Sequence, residues 1–238
     1  MNKVIIIGAT SGIGRELAKL YARNNWLVGA TGRRVELLHT LQEEYPDNIL
    51  IECFDVTGEE NIECIRNLTQ QLGGLNLLVY NSGYGEISKT LDWKIDKTTT
   101  QINVNGFAEI INFTYNYFLM EGKGHIAATS SIAGIRGSSI APAYSASKAY
   151  MSNYLEGLYL KTTKLKLPIY ITDIQPGFVD TEMAKGEGKF WVCPVLKAAV
   201  QIYEGIKSKK RKVYISKRWW LIAKLIHIMP ISIYKKFA

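Results

Sequence analysis

The chain has 238 residues, of which 47% are hydrophobic and 21% are charged, a composition that suits one folded domain with a sizeable core. These values exclude a disordered chain, a collagen-like repeat and a small scaffold held together by disulfides. The formal net charge is +8, yet ten lysines and arginines follow Glu204 with no acidic residue among them. The basic character therefore belongs to the C-terminal part of the chain and says little about the partners of the main body.

The cysteines predict a reducing compartment. Cys53, Cys64 and Cys193 are too few and too scattered for a disulfide framework, and the histidines are too dispersed to complete a metal site. The first apolar run ends at Gly8, which is too short for the core of a signal peptide. Since no run reaches the roughly 18 apolar residues of a membrane-spanning helix, we expect a cytoplasmic protein that holds no metal.

Apolar segments of strand length alternate along the chain with segments of helical periodicity. The predicted strands cover residues 4–7, 26–30, 49–54, 75–80, 125–129, 169–174 and 212–215, the last of them at a sheet edge. The predicted helices cover residues 12–24, 34–45, 59–72 and about 143–163. This alternation predicts an α/β fold, a doubly wound Rossmann-type parallel sheet with helices on both faces. Residues 1–216 are expected to form this single domain, and residues 217–238 a basic amphipathic C-terminal extension.

A glycine-rich turn directly follows the first predicted strand and opens the first helix. It reads Gly8-Ala9-Thr10-Ser11-Gly12-Ile13-Gly14. Glycines let the backbone approach a pyrophosphate closely, and a helix N-terminus offers unpaired N–H groups with a positive dipole end. The alternative is a turn that merely closes a strand onto a helix. In its strand-turn-helix context the segment predicts a nucleotide site.

The GxxxGxG spacing of this turn, together with Tyr144-Ser145-Ala146-Ser147-Lys148, resembles the short-chain dehydrogenase/reductase family in its compact single-domain branch. The resemblance runs from about residue 3 to residue 215. Further segments match the family in order: Asp55-Val56, Asn81-Ser82-Gly83, Asn103, Ser130-Ser131, and Pro176-Gly177 through Val179 to Thr181. Two positions depart from it, because Ile7 replaces a frequent threonine and Tyr80-Asn81-Ser82-Gly83 replaces the commoner Asn-Asn-Ala-Gly.

The resemblance implies a nicotinamide cofactor and a distribution of roles around it. Asp55 and Val56 would flank the adenine, Asn81, Ser82 and Gly83 would line a ribose, and Pro176, Gly177, Val179 and Thr181 would hold the nicotinamide end. The end of the second strand reads Gly32-Arg33-Arg34, where an NAD-specific relative would carry an aspartate. A guanidinium can grip a 2′-phosphate, so we predict NADP(H) with Arg33 as the main contact and Arg34 beside it. Alternatively, the two arginines only solvate a helix start.

Tyr144 and Lys148 are four residues apart and would share one face of a helix. A free phenol has a pKa near 10, and a nearby ammonium would lower it toward the range useful for proton transfer. The resemblance implies that Lys148 also binds the nicotinamide ribose, that Ser131 binds the substrate oxygen, and that Asn103 holds a water in a proton relay. Within the resembling fold, three residues between tyrosine and lysine argue against the enoyl reductases, and the GxxxGxG turn argues against the extended sugar epimerases. Together they favour carbonyl reduction or alcohol oxidation.

Residues 178–194 have the composition of a lid over the substrate, with Gly186 and Gly188 beside Met183, Phe190 and Trp191. The alternative is a plain surface loop. An apolar lid predicts an apolar, lipid-like carbonyl or alcohol substrate without identifying it.

Residues 217–238 combine basic side chains with paired tryptophans and with leucine and isoleucine at helical spacing. Such a segment either lies in a membrane interface or packs on the protein as a cover for the pocket or a subunit interface. Tyr115, Tyr117, Phe118 and Met120 suggest the helix interface of a homodimer or homotetramer, although an internal core face would look the same. The alternative function is a catalytically silent NADP(H)-binding regulatory or scaffold protein. Nucleic-acid binding has the charge but no recognised motif.

Overall fold

The computed structural model describes residues 1–182 and 190–236. Within them, parallel strands form a sheet of seven in the order β3-β2-β1-β4-β5-β6-β7. The strands are β1 (Lys3–Ile7), β2 (Leu27–Gly32), β3 (Ile49–Cys53), β4 (Leu77–Tyr80), β5 (Gly124–Thr129), β6 (Ile169–Pro176) and β7 (Lys212–Ile215). The predicted strands are thus confirmed, including the edge position of β7, and β6 continues two residues beyond the predicted end.

The helices cover both faces of the sheet. They are α1 (Gly12–Arg23), α2 (Val35–Glu44), α3 (Asn61–Gln71), α4 (Trp93–Thr100), α5 (Phe107–Glu121), α6 (Pro142–Leu165), α7 (Val195–Lys207), α8 (Trp219–Ile228) and α9 (Ile231–Tyr234). A π-helical turn, Gln101–Gly106, joins α4 to α5, and a 3₁₀ turn, Ile132–Ile135, follows β5. Among the described residues, no helix is long and apolar enough to cross a membrane.

The strands are apolar throughout because the sheet is buried on both sides. In β1, Val4 and Ile6 belong to the core formed with α1, α2 and α7, whereas Ile5 and Ile7 belong to the core formed with α3, α5 and α6. The alternation follows from the two-residue repeat of a strand. The doubly wound α/β architecture predicted from the sequence is therefore confirmed.

Strand order reverses beside β1, which pairs with β2 on one side and β4 on the other. At such a switch point the connections leave in opposite directions, and a crevice opens at the carboxyl ends of the strands. The glycine turn after β1 lies at this crevice, as do the segments that follow β4, β5 and β6. The topology alone therefore brings together residues that are up to 170 positions apart in the sequence.

The aromatic residues of α5 are only partly available for a subunit interface. Tyr115 and Phe118 are buried in the protein's own core against the sheet, while Met120 is 81% exposed and Tyr117 is partly buried. Tyr115 and Phe118 therefore belong to an internal core face, the alternative to a subunit interface, because the inner face of α5 must cover β4 and β5.

Candidate active site

The glycine turn is held closely against the end of β4. Gly8 has a φ of +86°, and a Cβ there would lie 2.8 Å from the backbone nitrogen of Ser82. A Cβ on Gly14 would overlap the carbonyl oxygen of Gly8. Only glycine fits both positions, so the turn can close compactly onto its neighbours.

Helix α1 starts in this turn with its first N–H groups free of a side-chain cap. Ser11 occupies the position before the helix, and its side chain makes no capping hydrogen bond. Ile13 is buried and anchors the first turn of the helix in the core. Uncapped N–H groups at a helix N-terminus form a ready seat for an anionic group, which is the chemistry predicted from the sequence.

The two arginines that follow β2 both border the turn. Arg34 donates from its Nη2 to Thr10 Oγ1 at 2.9 Å and to Ser11 Oγ at 2.6 Å. Arg33 forms an ion pair with Asp55 at 3.3 Å between Nη1 and Oδ2. Burial works to raise the pKa of Asp55, but hydrogen bonds from Thr57 and the charge of Arg33 together bring that pKa below its ordinary value. This end of the crevice therefore carries two cations, each with a carboxylate partner, since Arg34 also lies 3.6 Å from Glu182.

Asn81 connects the glycine turn to the neighbouring strands. Its backbone N–H donates to Ile7 O at 2.8 Å, and its side-chain amide oxygen accepts from Thr129 Oγ1 at 3.0 Å. Ser82 and Gly83 follow it, partly buried, at the rim of the crevice. Across the crevice Val56 is buried, and its carbonyl oxygen accepts a hydrogen bond from Asn61. The structure thus brings these sequence-predicted residues to one edge of the sheet.

Ser131 and Tyr144 meet where β5 ends and α6 begins. The Ser131 hydroxyl lies close enough to the Tyr144 phenol to influence its pKa, and the Ser131 Oγ accepts from Ala133 N at 3.1 Å. Burial raises the pKa of the Tyr144 phenol, and the Ser131 hydroxyl opposes that rise. A Cβ on Gly85 would lie 2.8 Å from Cγ of the Tyr144 ring, so the loop after β4 packs directly on the tyrosine. The phenol is held protonated and in one place.

Lys148 is almost fully buried one helical turn beyond Tyr144. Its Nζ donates to the carbonyl oxygen of Thr129 at 2.9 Å and lies 5.7 Å from the centroid of the Tyr144 ring. Burial lowers the pKa of Lys148 to about 8, and the charge of Asp173 works in the opposite direction. The expected lowering of the phenol pKa by the ammonium is not seen, because burial dominates and the ammonium is bonded to a backbone carbonyl.

Asn103 lies in the π-helical turn and is completely buried. Its side-chain oxygen accepts from Tyr84 N at 2.9 Å, and its Nδ2 donates to Tyr84 O at 2.7 Å and to Ser147 Oγ at 2.9 Å. In this structure the Asn103 side chain therefore fixes the loop after β4 to α6, next to the tyrosine and lysine.

A buried polar network lies beneath the site and was missed by the sequence analysis. Asp173 of β6 is 3% exposed and accepts hydrogen bonds from Ser130 and from Gln175, the latter at 2.6 Å. Gln175 also donates to Ser152 Oγ of α6 at 3.2 Å. In the sequence, the only sign of this network was an aspartate among the mostly apolar residues of β6. Such a residue requires partners, because an unpaired buried charge is costly.

The loop after β6 completes the crevice. Gly177 donates its backbone N–H to Ile215 O at 2.7 Å, and Val179 is buried in a bridge to Cys193. Thr181 approaches the glycine turn, since its Cγ2 would lie 3.3 Å from a Cβ on Gly12. Pro176 accepts a hydrogen bond from Ser131 through its carbonyl oxygen, at 3.4 Å. This loop therefore connects the glycine turn with Ser131, which lie at opposite ends of the predicted site.

The substrate side is bordered by an aromatic cluster. Trp219, at the start of α8, is 2% exposed, and the centroids of Phe178, Phe190 and Trp191 lie 5.6, 5.1 and 6.0 Å from its ring. Of the predicted lid, Met183, Gly186 and Gly188 lie outside the described residues. A separate cavity of about 110 Å³ adjoins Tyr144, with Leu91, Ile95, Ile140 and Pro142 in its lining. Polar and charged side chains, among them Glu86, Lys89 and Asp92, also line this cavity, so only the cluster around Trp219 is predominantly apolar.

The C-terminal segment packs on the 3₁₀ turn that follows Ser131. Arg136 donates from Nη1 to Met229 O at 2.7 Å, and its guanidinium lies 4.7 Å from the ring centroid of Tyr234. The Tyr234 hydroxyl donates to Gly137 O at 2.8 Å. Of the predicted alternatives, packing of this segment on the protein therefore agrees with these contacts.

Comparison with known proteins agrees with the fold and the motifs. The family model described as short chain dehydrogenase matches residues 2–190. An uncharacterized oxidoreductase of Myxococcus xanthus is 36% identical over 187 residues, which is 75% of this chain and 72% of that protein. The chain therefore belongs to the short-chain dehydrogenase family, whose members are oxidoreductases.

Two solved structures of low sequence identity share the fold. A short-chain dehydrogenase/reductase from Burkholderia phymatum, in complex with NAD, has a TM-score of 0.83 at 18% identity and covers 94% of this chain and 92% of its own. A short-chain dehydrogenase from Sphingobium yanoikuyae, in complex with NADPH, has a TM-score of 0.81 at 18% identity and covers 97% of both chains. Within the described residues, no cluster of side chains could hold a metal ion.

Proposed function

We propose that this protein is an NADP(H)-dependent oxidoreductase that interconverts a ketone or aldehyde and the corresponding alcohol. The observation that carries the proposal is the placement of Tyr144 and buried Lys148 one helical turn apart, with Ser131 beside the phenol, at the crevice that the glycine turn opens. A protein that only senses or displays a nucleotide has no need of a buried acid-base tyrosine. The same constellation therefore argues against a catalytically silent regulatory or scaffold protein.

We propose that the crevice takes a dinucleotide with an extra phosphate on its adenosine half. The glycine positions leave no room for a Cβ, and the first N–H groups of α1 stand free of a side-chain cap for a pyrophosphate. Arg33 and Arg34 would hold the 2′-phosphate, since a planar guanidinium binds phosphate with two parallel hydrogen bonds. Hydrogen bonds to Thr10 and Ser11 hold the Arg34 guanidinium beside the glycine turn. Arg33 would bind the phosphate either in place of Asp55 or together with it.

Each residue of the site has a distinct chemical task in the reductive direction. A bound reduced nicotinamide supplies the hydride that the carbonyl carbon receives. Ser131 donates a hydrogen bond to the carbonyl oxygen as negative charge develops there. Tyr144 gives its phenolic proton to that oxygen, and its raised pKa ensures that the proton is present at neutral pH. Lys148 would hold the nicotinamide ribose and keeps a positive charge behind the tyrosine as the phenolate forms.

The substrate is proposed to be an apolar carbonyl compound or alcohol. Support comes from the aromatic cluster around Trp219. We further propose that the protein forms a homodimer or homotetramer, with exposed Met120 of α5 among the contacts.

The decisive experiment follows NADPH oxidation by absorbance over ketones and aldehydes of increasing chain length. The proposal requires turnover that rises with chain length and that disappears in Tyr144→Phe. Binding of NADPH without turnover of any of these compounds would favour the silent nucleotide-binding protein.

A further inference from the structure

The outer face of α8 is apolar although its inner face already anchors the helix. Trp219 and Ala223 are buried against the protein, whereas Leu221 is 63% exposed and Ile228 is 75% exposed. Leu225 lies between these two on the same side and is also exposed. The spacing of four and then three residues places the three side chains in one continuous row, here called the α8 stripe. The stripe is unnecessary for attaching α8, so its exposure requires another explanation.

The stripe is continued by neighbouring exposed residues. Trp220 lies beside it on α8, and Ile231 follows on α9. Phe190 and Trp191 add further partly exposed aromatic surface through their contacts with Trp219. A contiguous apolar patch of this kind is uncommon on a protein that stays alone in water, and it marks a contact with a partner or a membrane.

The basic residues around the α8 stripe indicate what kind of partner it binds. Lys217, Arg218, Lys224, Lys235 and Lys236 accompany it, and all five are exposed. In the part of the chain that the structure describes, none of the five forms an ion pair. A cleft of about 450 Å³ between residues 191–194 and 216–218 adds Lys197 to the basic lining. A second copy of the chain would bring cations against cations, which opposes self-association through this face.

We propose that the α8 stripe and its basic flanks dock on a membrane surface rich in anionic lipid headgroups. The leucine and isoleucine side chains enter the boundary between headgroups and acyl chains, Trp220 lies at headgroup level, and the lysines meet the negative surface. The helix lies in the plane of the interface and does not cross it. Because α8 and α9 pack on the 3₁₀ turn after Ser131, the docked face adjoins the substrate side of the site.

Co-sedimentation of the full chain with vesicles tests this proposal. Vesicles of phosphatidylcholine alone and vesicles that also contain phosphatidylglycerol are compared at low and high salt. We expect binding to the anionic vesicles only, and weaker binding at high salt because ions screen surface charges. The variant Leu221→Gln/Leu225→Gln/Ile228→Gln should reduce the partition coefficient at least tenfold, since it removes the apolar contact and leaves the packed face of α8 intact.

A matched apolar control separates the stripe from general hydrophobicity. Leu160→Gln/Leu165→Gln changes two exposed apolar side chains on α6 in the same way. This control should bind vesicles as the unchanged protein does. Equal losses in the stripe variant and in this control would overturn the proposal.

A second pair of variants tests the charges. Lys217→Gln/Lys224→Gln/Lys235→Gln should weaken binding on the order of a hundredfold, about fivefold for each cation lost near the surface. The matched control, Lys94→Gln/Lys97→Gln/Lys123→Gln, lowers the net charge equally on exposed positions elsewhere and should have little effect.

The alternative is that a second copy of the chain covers the stripe, and sedimentation velocity without vesicles tests it. The proposal expects the stripe variant and the unchanged protein to have the same oligomeric state. No vesicle binding by the unchanged protein, or a stripe variant whose only effect is to dissociate an oligomer, would overturn it. Neither outcome bears on NADPH oxidation of a water-soluble carbonyl compound, so failure of the proposed enzyme activity is recognised separately.

Discussion

The buried carboxylate of Asp173 accepts a hydrogen bond from Ser130, the residue directly before Ser131. This contact ties β6 to the end of β5 at the position where the proposed oxygen-binding serine begins. The same carboxylate acts electrostatically on Lys148 and raises its pKa against the effect of burial. Asp173 is therefore proposed as a positioning residue that acts through Ser130 and Lys148.

Asp173→Asn should move the alkaline limb of the pH profile to lower pH. The pKa of Lys148 is about 8, so its ammonium is lost as the pH rises through that value. Burial raises the pKa of Asp173 itself, but hydrogen bonds from Ser130 and Gln175 favour its charged form, and losing that charge lowers the pKa of Lys148 further. The measurement is kcat/KM for carbonyl reduction as a function of pH.

Asp47→Asn is the matched control for this variant, since Asp47 is exposed and remote from the site. Its pH profile should equal that of the unchanged protein. An alkaline limb that stays in place in Asp173→Asn, with only a uniform loss of rate, would reduce Asp173 to a structural role.

Arg33→Ala and Arg34→Ala should each lower the affinity for NADPH about tenfold to a hundredfold and leave the affinity for NADH nearly unchanged. The expected size is that of one charge-assisted hydrogen-bonded contact to a phosphate. Fluorescence titration with both nucleotides gives the dissociation constants. Arg66→Ala is the control, because Arg66 is paired with Glu63 on α3 and lies away from the turn. Similar affinities of the unchanged protein for NADH and NADPH would refute the assignment of the cofactor.

Gly14→Ala should destabilise the fold, whereas Gly157→Ala should stabilise it. A Cβ on Gly14 would overlap the carbonyl oxygen of Gly8, and the backbone must move to admit it, at a cost of about 1–3 kcal/mol or more. A Cβ on Gly157, in the exposed face of α6, meets nothing within 4 Å and adds helix propensity of up to about 1 kcal/mol. Thermal unfolding measures both. A Gly14→Ala protein as stable as the unchanged one would show that the turn is looser than described.

The sequence was most informative where a repeat or a fixed spacing reports local structure. The strand-helix alternation predicted the sheet, and the motifs around Gly8, Asn81, Ser131 and Tyr144 indicated residues that the switch point brings together. The partners of Lys148 could not be predicted, because its hydrogen bond to Thr129 and the effect of Asp173 arise from contacts between distant strands. Burial therefore reversed the expected shift of the phenol pKa.

The C-terminal segment shows a different limit of prediction. Its amphipathic pattern was visible, but the pattern could not tell which apolar residues face inward. That choice follows from Gly177, where a Cβ would collide with the ring of Trp219, and from Arg136, whose guanidinium bonds the end of α8. Only after these contacts are known does the exposed row of Leu221, Leu225 and Ile228 become recognisable.

The proposed role of Tyr144 as proton donor is tested most directly by comparing Tyr144→Phe with the unchanged protein. Two assays are used, NADPH binding and NADPH-dependent reduction of a long-chain ketone. The phenylalanine keeps the ring that packs against Gly85 and removes only the proton donor. We predict that kcat falls by a factor of about 10²–10⁴, the usual contribution of general acid catalysis, while the Kd for NADPH stays nearly the same. A Tyr144→Phe protein with normal kcat would contradict the proposed mechanism.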